Sequence, residues 1–173
     1  MPLRRTGWAA ARCGLALAFA VTTANAQLLN PDDPSWKEGD VPPPPAFRMD
    51  KLVGVEVNLL GSLKYGIDPA TISVGKDRVL RYVIVAYSSS GAMTAMYEAL
   101  RCVTGEAKTY ARYNDSKWTP IESPQWQSVF EQRRFNYQLA VARQGGCDNT
   151  APPSSVNAMV ERLKAPSPAE RVP

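Results

Sequence analysis

The 173-residue chain contains no histidine, and this absence removes more chemistry than any other feature of its composition. Histidine is the commonest general base near neutral pH, the usual partner of serine and cysteine nucleophiles, and a favoured ligand of zinc. A catalytic mechanism in this chain would therefore depend on carboxylates, lysines or hydroxyl groups. We predict no catalytic residue, metal site or cofactor from the residues that remain.

The chain also lacks any run of about 20 apolar residues, the length that a membrane-spanning helix requires. Its N-terminus has instead the three parts of a secretory signal peptide. These are a positive start, a short apolar core and a small-x-small cleavage site, found at Arg4, Arg5 and Arg12, at Cys13 to Val21, and at Ala24-Asn25-Ala26. The pattern predicts export to the periplasm and cleavage after Ala26, with no membrane span in the mature protein.

Little net charge remains after that cleavage. The whole chain has 20 basic and 16 acidic residues, a net charge of +4, and the leader holds three of the arginines and no acid. The mature chain therefore has 17 basic residues against 16 acidic ones, and they form no basic cluster. This balance gives no ground for a nucleic-acid partner.

Cysteine is scarce, since Cys13 leaves with the leader and only Cys102 and Cys147 remain. An even pair in an oxidising compartment favours one disulfide. Two unpaired thiols or a metal site are the alternative, although two sulfurs without histidine make a poor site for a transition metal.

Residues 27–46 are rich in proline, including the run Pro42-Pro43-Pro44-Pro45. Such a segment has too few backbone donors and too little apolar surface to fold alone, which predicts an extended arm. It is either a stiff spacer or a ligand for a proline-recognising groove. We expect Trp36, isolated within the arm, to fold back onto the domain. Residues 165–173 are predicted to be a disordered tail.

Residues 47–164 are predicted to form one α+β domain, an antiparallel sheet of about five strands followed by two C-terminal helices packed on it. Runs rich in β-branched and aromatic residues, separated by turn residues, predict the strands. They are Val53 to Leu60, Thr71 to Val74, Val79 to Tyr87, Thr94 to Val103 and Ala107 to Tyr113. The third run, Val79 to Tyr87, is apolar at odd-numbered and even-numbered positions alike, apart from Arg81. This indicates a central strand covered on both sides.

Two helices are predicted after the sheet. The first begins at Ser123-Pro124 and ends at Gly145-Gly146, with apolar residues at helical spacing between them. The second is capped by Ser154 and places Val156, Met159, Val160 and Leu163 at positions i, i+3, i+4 and i+7. A Cys102–Cys147 bond would join the helical segment to the sheet.

Four carboxylates and one serine are the candidate catalytic groups. Asp68, Asp77, Glu98 and Glu106 could supply paired carboxylates for glycoside cleavage or a hard-cation site. Asp68 and Asp77 are better explained as turn residues. Ser73-Val74-Gly75-Lys76 has the serine-x-x-lysine spacing of some hydrolases, but here it runs from a strand into a glycine turn rather than along a helix.

The turn at Ser88 to Gly91 suggests a register for the central hairpin. If these four residues connect the strands, Arg81 lies opposite Glu98. The same register puts Tyr82 opposite Tyr97. Directly opposed charges can form an ion pair, and neighbouring aromatic rings stabilise the same hairpin.

The next turn extends this pattern into a row. With Thr104 to Glu106 as a three-residue turn, Arg112 lies on the other side of Glu98, while Arg101 projects from the opposite face. The row Arg81, Glu98 and Arg112 is either an internal ion pair that fixes the register, which we favour, or a site for an anion or peptide with an aromatic border. The binding candidates are Arg81, Tyr82, Tyr97, Glu98, Arg101 and Arg112.

A linked string of short motifs resembles the family named after the cryptic neisserial protein, a group of uncharacterised periplasmic proteins of Gram-negative bacteria. The motifs are Ile67-Asp68-Pro69, Ser73-Val74-Gly75-Lys76-Asp77, Arg81-Tyr82, Ser90-Gly91-Ala92, Tyr97-Glu98, Arg101-Cys102, Tyr110-Ala111 and Trp118. The likeness covers about Trp36 to Leu163. A glycine often follows the second aspartate in this family, where the chain has Arg78. The resemblance implies a periplasmic location and a Cys102–Cys147 bond, and it implies no activity.

These observations predict a non-catalytic binding or envelope-assembly protein of the periplasm. Its partner would be an envelope protein or peptide, bound by a sheet face or by the arm. The alternative is a carboxylate-dependent hydrolase or cation-binding protein acting on envelope glycans. That alternative requires two or more of the four carboxylates to converge within a cleft.

Overall fold

The structure is a computed structural model that describes Met1 and residues 33–57, 62–131 and 136–165. The predicted leader apart from Met1, the first part of the arm and residues 166–173 of the predicted tail lie outside the described residues. No helix within the described ranges is long and apolar enough to cross a membrane.

An antiparallel sheet forms the centre of the molecule, and two short helices follow it. The strands are β1 (Val53–Val55), β2 (Lys64–Ile67), β3 (Ser73–Val74), β4 (Leu80–Tyr87), β5 (Met93–Arg101), β6 (Glu106–Asn114), β7 (Lys117–Pro120) and β8 (Gln127–Ser128). The helices are α1 (Tyr137–Val141), continued by a π-helical turn over Ala142–Gly146, and α2 (Val156–Lys164). The main sheet order is β1-β2-β4-β5-β6-β7, with β3 beside β4 and β8 beside β6. The predicted α+β class is confirmed.

The sheet contains more strands than the sequence predicts. Residues 64–67, 117–120 and 127–128 were not predicted as strands, because they are short and two of the three carry a glycine or a proline. The first predicted strand ends at Val55 rather than Leu60, and residues 58–61 lie outside the described part. Thr71, the predicted start of the second strand, instead ends a 3-10 turn that begins at Pro69.

Strand β4 is central, as its apolar pattern predicts. Every side chain from Leu80 to Ala86 is buried, Arg81 included. Tyr82 and Ile84 face α1 and α2, whereas Val83 and Val85 face the opposite side. We call the first side the helix face and the second the arm face, because the helices cover one and the residues preceding β1 cover the other.

The first helix is much shorter than predicted. Residues 127–128 form β8, and the helix begins only at Tyr137, although its helical continuation ends at Gly146 near the predicted position. Ser123 has a φ of 49°, whereas an N-cap residue needs an extended backbone. Asn136 caps the helix instead, through a 2.9 Å hydrogen bond from the backbone N–H of Leu139 to its side-chain oxygen. Residues 132–135 lie outside the described ranges.

The second helix agrees with its sequence pattern. Met159, Val160 and Leu163 are buried on the helix face. The cap is Ser155 rather than Ser154, since the Oγ of Ser155 accepts a 3.1 Å hydrogen bond from the N–H of Ala158.

Cys102 and Cys147 form the expected disulfide, with their Cα atoms 5.6 Å apart. Cys102 directly follows β5 and Cys147 directly follows the π-helical turn, so the bond joins the helical segment to the sheet. Closing a loop of this length removes about 4 kcal/mol of unfolded-chain entropy. The helix face is therefore held by a covalent bond as well as by packing.

The edge of β1 is closed by a side chain. Gln144 accepts a 2.9 Å hydrogen bond from the N–H of Glu56 and donates one of 2.5 Å to its carbonyl oxygen. The side-chain amide of Gln144 thus makes the two backbone hydrogen bonds that a neighbouring strand would make with Glu56.

The register of the β4–β5 hairpin differs from the predicted one by a single residue. The N–H of Ser88 donates to the carbonyl of Ala92 at 2.9 Å, which leaves a three-residue turn ending at Gly91. Gly91 has a φ of 86°, the left-handed conformation that such turns use. As a result Arg81 lies opposite Ala99, and Glu98 lies opposite Tyr82. A one-residue shift moves side chains to the other face of a sheet, so the predicted Arg81–Glu98 pair does not form.

Candidate functional site

The six binding candidates divide equally between the two faces. Tyr82, Glu98 and Arg112 lie on the helix face, and Arg81, Tyr97 and Arg101 lie on the arm face. The row Arg81, Glu98 and Arg112 was therefore wrong, and so was the opposition of Tyr82 to Tyr97. Arg112 lies opposite Met96 rather than Glu98 and is exposed.

The carboxylate of Glu98 is fully buried on the helix face. It accepts hydrogen bonds from four neutral donors: Tyr82 Oη at 3.4 Å, Thr109 Oγ1 at 2.8 Å, Tyr137 Oη at 2.7 Å and Gln138 Nε2 at 3.1 Å. Burial raises the pKa of Glu98, and these hydrogen bonds only partly oppose that effect. The carboxylate has no solvent exposure at all, so it joins α1 to the sheet rather than meeting a ligand.

The arm face carries a charged groove that holds part of the N-terminal arm. We call it the arm groove. Its residues are Asp77 and Arg81 at one end, Arg101 and Trp126 at the other, and Lys108 and Tyr110 from β6 between them. Lys37 and Gly39 of the bound arm are exposed, whereas Trp36 and Glu38 are partly buried.

Glu38 is the charged anchor of the arm. Its carboxylate lies 2.5 Å from Lys108 Nζ and 3.8 Å from an Arg81 guanidinium nitrogen, and it accepts a hydrogen bond from Tyr110 Oη. Its side chain keeps about a fifth of its surface exposed. Burial, followed by the hydrogen bond to Glu38, raises the pKa of Tyr110, so the phenol remains a donor at physiological pH.

Trp36 is the aromatic anchor, and its ring lies against the domain as the sequence predicts. The guanidinium carbon of Arg101 lies 3.8 Å from the ring centroid, a close cation–π contact. Trp126 meets the same ring edge-on with centroids 6.1 Å apart. The indole Nε1–H donates to the carbonyl oxygen of Asp77 at 3.2 Å.

Asp77 connects the sheet to the arm. Its two carboxylate oxygens pair with the guanidinium of Arg81 at 2.7 and 3.2 Å, and one of them accepts a 2.9 Å hydrogen bond from the N–H of Gly39. Burial alone would raise the pKa of Asp77. The hydrogen bonds from Arg81, Gly39 and Val79 outweigh that effect and lower it.

A β-bulge in β6 places Tyr110 in the groove. Tyr97 pairs with Ala111 but the next residue, Glu98, pairs with Thr109, so Tyr110 is the extra residue. Bulges of this kind redirect a side chain beside a site. The bulge and a four-residue turn over residues 102–105 together explain why the predicted position of Arg112 beside Glu98 was wrong.

The two remaining carboxylate candidates, Asp68 and Glu106, are each held by other residues. Asp68 caps the 3-10 turn through the N–H of Ala70 at 3.0 Å and accepts from the N–H of Arg48 at 2.8 Å. Glu106 lies 3.6 Å from Arg101. Ser73 is exposed on β3, so the serine-x-x-lysine segment has the strand-to-turn geometry that the sequence predicts. Across the described residues, no group of three acidic or cysteine side chains is placed to hold a metal ion.

Sequence reasoning missed four residues of this site: Glu38, Lys108, Tyr110 and Trp126. The alternation of Glu106, Lys108 and Tyr110 along β6 was a usable signal, since it places three polar groups on one face. No local signal joins Glu38 to Lys108, because the two are separated by 70 positions.

Comparison with known proteins gives a family and no further relative. Residues 31–164, which include the arm groove and the disulfide, match the CNP1-like family. No curated protein and no solved structure matches the chain. Because the match covers most of the sequence, the chain belongs to the CNP1-like family.

Proposed function

We propose that this protein is an exported, non-catalytic binding module of the periplasm, and that it binds an extended protein segment in the arm groove. One observation carries the proposal: the groove holds a segment of chain through a carboxylate and an aromatic ring, Glu38 and Trp36. Extended segments of other proteins can offer the same two groups.

Charge in the groove supports an acidic partner. The domain contributes three cations, Arg81, Arg101 and Lys108, against two carboxylates, Asp77 and Glu106. Glu38 of the arm adds a negative charge beside Lys108 and Arg81. The groove therefore complements a segment that brings one carboxylate.

Two features support an exported location. The first 26 residues have the composition of a signal peptide, and Cys102–Cys147 is a bond that persists in oxidising compartments. No observation favours the glycan hydrolase alternative, because Asp68, Asp77 and Glu106 are engaged by separate partners and Glu98 is buried.

Site-specific crosslinking in intact cells tests the proposal. A photoreactive amino acid replaces Lys76, which is exposed beside Asp77, and a matched control replaces Glu161, which is exposed on α2 at the helix face. We expect a discrete adduct from position 76 and none from position 161. The adduct should be lost in the Lys108→Ala background.

Equal adducts from both positions, or an adduct that Lys108→Ala leaves unchanged, would overturn binding in the groove. Cell fractionation tests the location separately. Recovery of the uncut precursor from the cytosol would overturn export.

A further inference from the structure

We infer that the arm is a built-in competitor, and that the partner it competes with carries an aromatic residue two positions before a carboxylate in an extended segment. This inference rests on the proposed function. It adds which residues the partner segment must carry, and that the arm limits access of the partner to the groove. Its basis is the way Trp36 and Glu38 occupy the arm groove while the arm makes few other attachments.

The spacing of the two anchors defines the recognition rule. In an extended chain, residues i and i+2 point to the same side and lie about 7 Å apart, and the residue between them points away. Trp36 and Glu38 reach Arg101 and Lys108 in this manner, and Lys37 between them is exposed. The groove should therefore select the residues of a bound segment that correspond to Trp36 and Glu38, and it should accept different residues at the position of Lys37 between them.

The arm can leave without breaking the sheet. Residues 33–46 pair with no strand, and the four prolines at 42–45 have no N–H to donate. Arg81 retains Asp77 when the arm departs, whereas Lys108 loses its carboxylate. The groove without the arm would thus keep its strand pairing and lose the negative charge of Glu38.

The fit of the arm is also incomplete. The Nε of Arg81 is buried and has no hydrogen-bond partner within the described part of the chain. Glu38 lies 3.8 Å from Nη2 of the same guanidinium, beyond hydrogen-bond distance, and Nη2 donates to Asp77 instead. A segment that placed an acceptor within reach of Nε would satisfy a donor that the arm leaves unpaired.

Competition sets the size of the expected effect. Seven residues, 40–46, separate the bound part of the arm from Phe47, which is fixed against Tyr113 and Trp118. A tether of this length gives an effective concentration of the order of 1 mM. If the isolated segment binds with a Kd of about 0.1 mM, removing the competitor should tighten binding of an external segment about tenfold.

The probe is a fluorescent peptide with the sequence of residues 33–41, Asp-Pro-Ser-Trp-Lys-Glu-Gly-Asp-Val. Fluorescence anisotropy measures its Kd for the mature protein and for the double variant Trp36→Ala/Glu38→Ala. Asp40→Ala is the matched control, since Asp40 is an exposed carboxylate of the same arm. A triple variant adds Lys108→Ala to the double variant. Circular dichroism checks that each variant is folded.

The expected result is binding to the double variant about tenfold tighter than to the wild type or to Asp40→Ala. The triple variant should lose that binding. Peptides with alanine for the tryptophan, or glutamine for the glutamate, should bind weakly to the double variant, whereas alanine for the lysine should change little.

Three contradicting outcomes are distinguishable. Equal affinity for the wild type and the double variant would overturn competition by the arm but leave groove binding, and hence the proposed function, in place. Failure of the folded double variant to bind the peptide would overturn both. A wild-type dimer that dissociates in the double variant would assign the groove to the arm of a second copy and overturn an external partner.

Discussion

The two faces of the sheet each hold a carboxylate, and they hold it in opposite ways. Glu98 on the helix face is fully buried and bound by four neutral donors. Glu38 on the arm face keeps partial exposure and is bound by Lys108, Tyr110 and the nearby charge of Arg81. The first carboxylate is integral to the fold, and the second belongs to a segment lying on its surface.

The difference shows how one sheet can combine a permanent interior with an exchangeable contact. The helix face is fixed by packing of Met159 and Leu163 and by the disulfide. On the arm face, some of the residues that hold the arm also have partners within the domain, such as Asp77 with Arg81. Segments with few buried apolar contacts open at lower free-energy cost than the core.

The largest effect is expected from Glu98→Ala. The substitution leaves Tyr82 and Gln138 without their buried acceptor and creates a cavity, so we expect a loss of about 3 kcal/mol or more in the free energy of unfolding. Urea denaturation measures it. A loss below about 1 kcal/mol would show that the helix face does not depend on this carboxylate.

The pH dependence of stability sharpens the same contrast. Because burial raises the pKa of Glu98 in the folded state, its protonated form favours folding. That contribution is complete below the ordinary glutamate pKa of about 4.3 and is lost as the pH rises through the higher folded pKa. Glu98→Gln removes the titration.

The free energy of unfolding of the wild type should therefore fall relative to Glu98→Gln as the pH rises above the ordinary glutamate pKa of about 4.3. Glu38→Gln is the control on the other face: it leaves Glu98 in place, so it should keep the same fall relative to Glu98→Gln. Parallel curves for the wild type and Glu98→Gln would contradict the prediction.

Some parts of this fold could be predicted from the sequence because they depend on local periodicity. The apolar run of β4 identifies a central strand, and the i, i+3, i+4, i+7 spacing identifies α2. The disulfide follows from the even number of cysteines in the mature chain and from the predicted oxidising compartment. Each inference needs only neighbouring residues or a count.

The site could not be predicted because it depends on register and on distant contacts. One residue fewer in the turn at Gly91 puts Arg81 and Glu98 on opposite faces. The bulge at Tyr110 alters the next pairing. Periodicity determines neither, since both depend on backbone conformation at single positions. The contact of Glu38 with Lys108 then joins segments that no local pattern relates.

A smaller effect is expected from weakening the arm. Trp36→Ala/Glu38→Ala removes a cation–π contact and an ion pair at partly exposed positions, so we expect a loss of about 1 to 2 kcal/mol in the free energy of unfolding. Asp40→Ala should stay within about 0.5 kcal/mol of the wild type. A loss as large as that of Glu98→Ala would remove the distinction between the faces, since the arm would then be part of the core.

The smallest effect is expected beside the groove, from Arg78→Gly. Arg78 adopts a φ of 62°, in the left-handed region that costs a residue with a side chain about 1 kcal/mol and glycine almost nothing. Glycine adds entropy to the unfolded chain, which offsets part of the gain. We expect a net stabilisation of about 0.5 kcal/mol in urea denaturation.

Lys76→Gly is the matched control for that substitution, because Lys76 is exposed in the same turn and its φ is not positive. There glycine brings only the entropic cost, so the variant should lose about 0.5 kcal/mol. Opposite signs for the two variants would show that the backbone at Arg78 is under strain. Equal losses would show that the turn accepts arginine at this φ without cost.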